Sequence, residues 1–252
     1  MTLPHALGIF GAGIVAGTIN TVVGSGTLFT FPVLLAFGYP PVTANVSNTV
    51  GLVPGSVSGA IGYRNELKGQ TRRAIPLAIA STIGGVAGAI LLLSLPPSAF
   101  KTIVPAFIAI ALVLIVLQPR LSRALTAHRG RPRDRDRAGP VGTAATFASG
   151  VYGGYFGAAQ GILLLAILGL SLEGEDLQRI NALKVVLAGL VNLVAGVVFV
   201  FAAHVSWLVA LLIAIGSTIG GVLGARYGRR LPPAALRALI VVVGITAIVR
   251  LL

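Results

Sequence analysis

The chain contains no cysteine. Disulfides and thiolate metal sites are thereby excluded, and the redox compartment goes unread. Charge is scarce too: only 10% of residues are Asp, Glu, Lys or Arg, against about 25% in a soluble domain. With 56% of the 252 residues hydrophobic, one aqueous core cannot cover the apolar surface, so a lipid bilayer must be the solvent. Acids are fewest of all. The six are Glu66, Asp134, Asp136, Glu173, Glu175 and Asp176, all in loops or at segment ends. This excludes a buried carboxylate relay of the kind proton pumps use. The sequence also lacks a His-Glu-x-x-His or His-x-x-Glu-His metal motif, a phosphate-binding loop and a Gly-x-Ser-x-Gly elbow, so neither an enzyme nor a bound cofactor or metal is expected. Met1-Thr2-Leu3-Pro4-His5 has no basic region and runs into more apolar sequence, so no cleaved signal peptide is expected.

What charge there is has one sign. The formal net charge is +13, but most of it sits in short loops between apolar runs, as membrane topology requires. No nucleic-acid partner is expected. Spanning helices need about 20 apolar residues. On that scale the chain divides into segments near 4–37, 43–63, 74–95, 99–117, 141–172, 180–203, 205–225 and 238–252. The first and fifth are long for one crossing and short for two.

The stretch from Gly17 to Phe37 explains the odd length. It carries Asn20, Thr21, Gly24, Ser25, Gly26 and Thr27 between two apolar runs. Each glycine costs a helix about 1 kcal/mol relative to alanine. A break inside a bilayer frees backbone groups that only protein or a wet cavity can satisfy. The stretch therefore reads as a broken, re-entrant segment built around a site, or as a run of small residues that lets helices pack closely. A similar run returns at 149–161, with Gly150 opposite Gly17, Gly157 opposite Gly24 and Asn181 opposite Asn48. Further on, Ser81-Thr82-Ile83-Gly84-Gly85-Val86-Ala87-Gly88-Ala89 recurs at 217–225 with one position changed, and Leu95-Pro96-Pro97 recurs as Leu231-Pro232-Pro233. Several echoes in the same order indicate a duplicated unit, an organisation typical of transporters. Repeat one covers 1–118, an Arg-rich cytoplasmic linker 119–140 and repeat two 141–252, all within one transmembrane domain.

Loop charge orients the copies. The loops at 64–73, 120–137 and 226–237 are basic, whereas the counterparts of the first and last in the other repeat carry one Lys or none. If segments one and five crossed outright, the repeats would be parallel and the 226–237 loop would lie outside. If they enter and return on one side, each repeat keeps three full crossings, the copies are inverted, and all three basic loops lie inside. The second arrangement is adopted. The expected fold is an all-α membrane protein of two inverted repeats, each a broken hairpin followed by three transmembrane helices. Both termini would lie outside, and the hairpin tips, near 24–26 and 157–161, would meet near the midplane.

Return half-helices are expected to start near Thr27 and Gln160. Helix N-termini favour anions. The candidate substrate-binding residues are Asn20, Thr21, Gly24, Ser25, Gly26, Thr27, Asn48, Gly157, Gln160, Gly161, Asn181 and Lys184. Asn48 and Asn181 are placed either to bind substrate or to cap a helix. Lys184 is the one base well inside an apolar segment; it either faces the site or snorkels to the interface.

This organisation resembles the TauE/SafE family of sulfite and organosulfonate exporters. The residues that carry the likeness are Gly17-Thr18-Ile19-Asn20-Thr21-Val22-Val23-Gly24-Ser25-Gly26, Phe31-Pro32, Ala44-Asn45-Val46-Ser47-Asn48-Thr49, the run from Gly51 through Gly59 to Tyr63-Arg64, and the paired Ser-Thr-Ile-Gly-Gly segments. The resemblance implies a secondary transporter of small sulfur-containing anions, such as sulfite, sulfoacetate or thiosulfate, in a bacterial plasma membrane. A passive anion channel, or a carrier of another small anion such as a carboxylate, is the alternative. Monomer and homodimer are both open.

Overall fold

A computed structural model of the chain describes residues 1–127, 138–172, 174–228 and 233–251. Among the described residues the chain is helical throughout: α1 Leu3–Val22, α2 Thr27–Ala36, α3 Pro41–Gly62, α4 Arg64–Leu67, α5 Thr71–Ser94, α6 Pro97–Ala127, α7 Gly139–Tyr155, α8 Gln160–Ser171, α9 Leu177–Ala202, α10 Trp207–Tyr227 and α11 Pro233–Leu251. Pro4, Pro41 and Pro140 sit in first turns, where a missing N–H costs nothing. The alternating arginines 129–137, with Asp134 and Asp136, lie outside the described residues, as do Glu173 and the Leu231-Pro232 pair.

Among the described residues, five helices are long and apolar enough to cross a membrane: α1, α5, the first 24 residues of α6, α9 and α10. Three differences from the sequence expectation stand out: α11, expected to cross, is not among the five, and the other two concern α1 and α3. The helix α1, expected as a half-crossing, has 20 residues and so a length of about 30 Å. The helix α3, expected to cross, is not among the five, because Asn45, Ser47, Asn48, Thr49 and Ser56 lower its hydropathy. All five are buried, so its polarity faces protein. A smaller difference concerns the linker: α6 continues to Ala127, so the first turns of the stretch read as linker are helical.

Both long first segments fold back on themselves. After α1 the chain turns at residues 23–26, and α2 returns along it. Gly26 then lies against Ala16 and Asn20, and the Phe37 ring stacks on His5 at 4.6 Å. The hairpin of α7 and α8 closes in the same way, with Ser171 against Gly142. Gly24 (φ +89°) and Gly157 (φ +72°) make the turns in backbone conformations that glycine tolerates at no cost.

The helices around these hairpins pack through glycine. Along α10, in the same direction, runs α1: Gly13 meets Ile213, Gly17 meets Ser217 and Gly224 meets Thr21. The same relation holds between α7 and α5, where Gly84 meets Gly150 and Gly88 meets Val151 and Tyr155. Each Ser-Thr-Ile-Gly-Gly run is thus a packing seam against the broken helix of the other half. Corresponding serines tie the seams further. Ser217 donates to the Gly51 carbonyl of α3 at 2.8 Å, and Ser81 donates to the Leu187 carbonyl of α9 at 3.3 Å. Between the halves, α3 and α9 run in opposite directions, with Gly59 against Val185, Ser56 against Gly189 and Val50 against Gly196.

At Gly84 a Cβ would collide with the Phe147 carbonyl and the backbone of Gly150 and Val151. Gly84→Val is expected to destabilise by about 3 kcal/mol, the upper end of ordinary overpacking. Its neighbour Ile83 is 56% exposed, and Ile83→Val should be silent. Thermal unfolding in detergent distinguishes the two; equal melting temperatures would contradict the seam.

Candidate functional site

Both return helices begin where the glycine pattern puts them, at Thr27 and Gln160. Neither start is covered by a side-chain cap: Gly26 precedes α2 and Ala159 precedes α8. The Leu28 and Phe29 N–H groups donate back to the Ser25 and Gly26 carbonyls at 3.1 and 3.0 Å, and those of Gln160 and Ile162 to the Gly157 and Ala159 carbonyls at 3.3 and 3.0 Å, so what each start offers a negative charge is the positive end of its helix dipole. Ala159 holds the left-handed conformation, φ 61°, which costs a non-glycine residue about 1–2 kcal/mol. Tyr152 steadies this turn by donating its hydroxyl to the Ala158 carbonyl.

The two turns touch. The Gly161 N–H donates to the Gly24 carbonyl at 3.0 Å, and a Cβ on either glycine would overlap the other's backbone. Ser25 and Gln160 flank this contact in sequence and are only 1% and 3% exposed. Ser25 Oγ and Gln160 Nε2 nevertheless have no hydrogen-bond partner. Unpaired polar groups this deeply buried are uncommon, and each costs about 1–3 kcal/mol. Both atoms are hydrogen-bond donors, and the Gln160 amide lies against Gly153, which has no side chain to displace it.

Asn48 is different. It is fully buried, its Nδ2 donates to Thr27 Oγ1 at 3.2 Å, and its Oδ1 accepts from Thr30. It therefore holds the start of α2 in place. Asn20 donates to Ser56 at 3.4 Å.

A second cluster gathers at the end of α1. The Thr21 carbonyl accepts from Asn181 Nδ2 and from Lys184 Nζ, each at 3.4 Å. Lys184 is 1% exposed, so it turns into the protein rather than snorkelling. It forms no ion pair among the described residues. The end of α7 is held comparably from the opposite half: Asn45 Nδ2 donates to the Tyr155 carbonyl at 3.0 Å. Thr21 lies against Gly59, near the end of α3, whereas Asn45 lies near its start. The broken helices thus pass each other along α3, and only the turns beyond them meet.

The candidate residues fall into two groups. Gly24, Ser25, Gly26, Thr27, Asn48, Gln160 and Gly161 surround the touching turns, with Gly157 inside the second turn. Thr21, Asn181 and Lys184 form the α1 end cluster, and Asn20 joins it to α3. Sequence reasoning missed Thr30, Asn45, Ser56 and Tyr152 as partners. Spacing offers a signal for two of them, since Thr30 follows Thr27 and Asn45 precedes Asn48 by three positions, one helical face apart.

Apolar spans wrapped around two folded-back hairpins define a multi-pass membrane protein. Residues 9–251 match the family described as Sulfite exporter TauE/SafE; the chain belongs to this family of transporters, which are not enzymes. It is similar to the probable membrane transporter protein ORF9 of Sinorhizobium sp., 30% identical over 247 residues, covering 97% of this chain and 91% of that one. It is also similar to the probable membrane transporter protein YfcA of Escherichia coli K12, 26% identical over 255 residues and covering 100% and 91%. YunE of Bacillus subtilis, likewise a probable membrane transporter protein, is 25% identical over 240 residues, covering 87% of each. No solved structure matches the chain.

The two helix-end clusters differ in redundancy. Asn45→Ala strips a side-chain donor from the Tyr155 carbonyl and should cost about 1–3 kcal/mol. Asn181→Ala should cost less, because Lys184 still serves Thr21. The pair Asn181→Ala with Lys184→Met should cost more than the sum of the singles. A double-mutant cycle of detergent unfolding checks this; strict additivity would count against the shared carbonyl.

Proposed function

We propose that this protein is a secondary transporter that moves a small sulfur-containing anion, such as sulfite, sulfoacetate or thiosulfate, across the bacterial plasma membrane by alternating access. The observation that carries the reading is the pair of unpaired donors, Ser25 Oγ and Gln160 Nε2, at the uncapped starts of α2 and α8. An oxyanion between the turns accepts from both side chains at the positive ends of two helices. In the closed arrangement the Gly24 carbonyl occupies the Gly161 N–H, so an entering anion competes with that bond. Lys184 is a buried base with no carboxylate beside it among the described residues, a setting that suits a negatively charged cargo. The sulfur chemistry of the cargo follows from the family, not from these contacts.

The same reading takes the halves as inverted repeats. Three pieces of geometry support it: α3 and its counterpart α9 run in opposite directions; α1 lies on α10 as α7 lies on α5; and Ala225, at the head of one basic loop, abuts Gly62, at the head of another. Positive loops gathered at one end suit a single cytoplasmic face. Because the chain has no cysteine, introduced thiols report cleanly. Lys68→Cys and Arg226→Cys should label from the cytoplasmic side only, and Thr2→Cys and His204→Cys from outside. Labelling of Arg226→Cys from outside would favour parallel repeats.

Proteoliposomes loaded with sulfite, sulfoacetate or thiosulfate test the cargo, with saturable flux as the expected result. Ser25→Ala and Gln160→Leu should lower that flux at least tenfold while leaving the melting temperature unchanged or raised, because neither removes an existing bond. Flux of some other solute class, with none for these anions, would overturn the assignment. Conduction without saturation would indicate a channel.

A further inference from the structure

Along the seam between α3 and α9 runs a groove of about 380 Å³, walled almost entirely by carbon. Val57 and Ile61 line it from α3, Leu190 and Leu193 from α9, and Gly189 lies in it with no side chain to fill the space. Val57, Ile61 and Leu193 are 53%, 57% and 44% exposed, so the groove opens sideways from the protein body. One end holds a single charged residue, Arg64, directly after α3. Its neighbours on that end are also basic. Lys68 follows in the same loop, and Arg226 lies next to Ala225, which abuts Gly62. Of the acids near this end, Glu175 pairs with both Arg73 and Arg179, and Glu66, two positions after Arg64 in α4, has a partner of its own. Arg64 forms no ion pair among the described residues.

An apolar wall alone selects nothing in a bilayer, because lipid tails are as apolar as leucine. Selectivity must come from the charged end. A basic residue at the headgroup level of a pocket between helices favours an anionic lipid, and each such charge contributes about a fivefold preference. The geometry points to a binding site for one anionic phospholipid, its phosphate on the Arg64 guanidinium and one acyl chain lying in the α3–α9 groove. The guanidinium fork suits a phosphate. The chain lies over the seam of the two halves, behind Ser56, which holds Asn20, and beside Val185, next to Lys184.

Native mass spectrometry of the full-length protein from detergent, titrated with phosphatidylglycerol or phosphatidylcholine of equal chain length, tests the site. The intact protein should retain one phosphatidylglycerol with at least about a fivefold preference. Arg64→Gln should abolish the preference, Arg64→Lys should keep most of it, and Arg123→Gln, on α6, should leave it unchanged. Val57→Trp, which fills the groove from an exposed position, should abolish retention at an unchanged melting temperature. Equal preference in Arg64→Gln and the parent chain would overturn the headgroup assignment. Undiminished retention in Val57→Trp would overturn the groove. A dimer that Val57→Trp splits into monomers, with no lipid bound, would show that a second copy covers this face and would overturn the site as a whole. None of these readouts depends on transport.

Discussion

A helix that stops inside hydrocarbon leaves carbonyl oxygens that no water can reach, and each one left bare costs several kcal/mol. The architecture answers to that constraint at two places. The end of α1 is met by Asn181 and Lys184, both from α9, and the end of α7 by Asn45 from α3. In each case the donor comes from the opposite half of the chain. A half on its own would leave the Thr21 or the Tyr155 carbonyl without these donors, so the halves complete each other. Breaking the helices and interlocking the halves are one structural decision.

Close approach makes that interlock possible. Across the α1–α10 and α5–α7 seams, glycines sit where any Cβ would meet backbone of the facing helix. With no hydrophobic drive between helices in lipid, such contact is what holds them together. The repeated Ser-Thr-Ile-Gly-Gly runs serve this purpose, each pressed on the broken helix of the other half. Their near-identity reflects one packing problem solved twice. The turn glycines answer a different demand: Gly24 and Gly157 adopt positive φ, and Gly24 and Gly161 bring two backbones into direct contact.

Local signals were legible and cross-half contacts were not. The starts of the return helices, at Thr27 and Gln160, could be read because glycine clusters interrupt otherwise continuous apolar runs. The inward polarity of α3 showed as a crowd of Asn, Ser and Thr in a membrane segment, although that same crowd keeps α3 below the hydropathy of a lipid-facing span. The length of α1 was misjudged because segment 4–37 is short for two crossings and its tip was placed near the midplane, whereas packing of Gly13 and Gly17 against α10 keeps the helix intact as far as Val22. Asn45 could not be paired with Tyr155, since nothing local links residues 110 positions apart. The passing of α1 and α7 along α3 was equally unseen, although the turns beyond them touch at Gly24 and Gly161 as the glycine pattern led one to expect.

The sharpest contrast within the site is between Asn48 and its neighbours. Asn48 spends both ends of its amide on Thr27 and Thr30, so it belongs to the scaffold that fixes where α2 begins. Ser25 and Gln160, equally buried, have donors with nothing to donate to. A chain selected for stability alone would carry alanine and leucine there, since an unpaired buried polar group weakens the fold. Two such groups lie at one backbone contact, on turns from different halves. On the reading proposed above, a bound anion relieves both and competes for the Gly161 N–H, which would free the Gly24 carbonyl. Loading the site would then loosen the contact between the halves, the differential interaction that a two-state carrier requires.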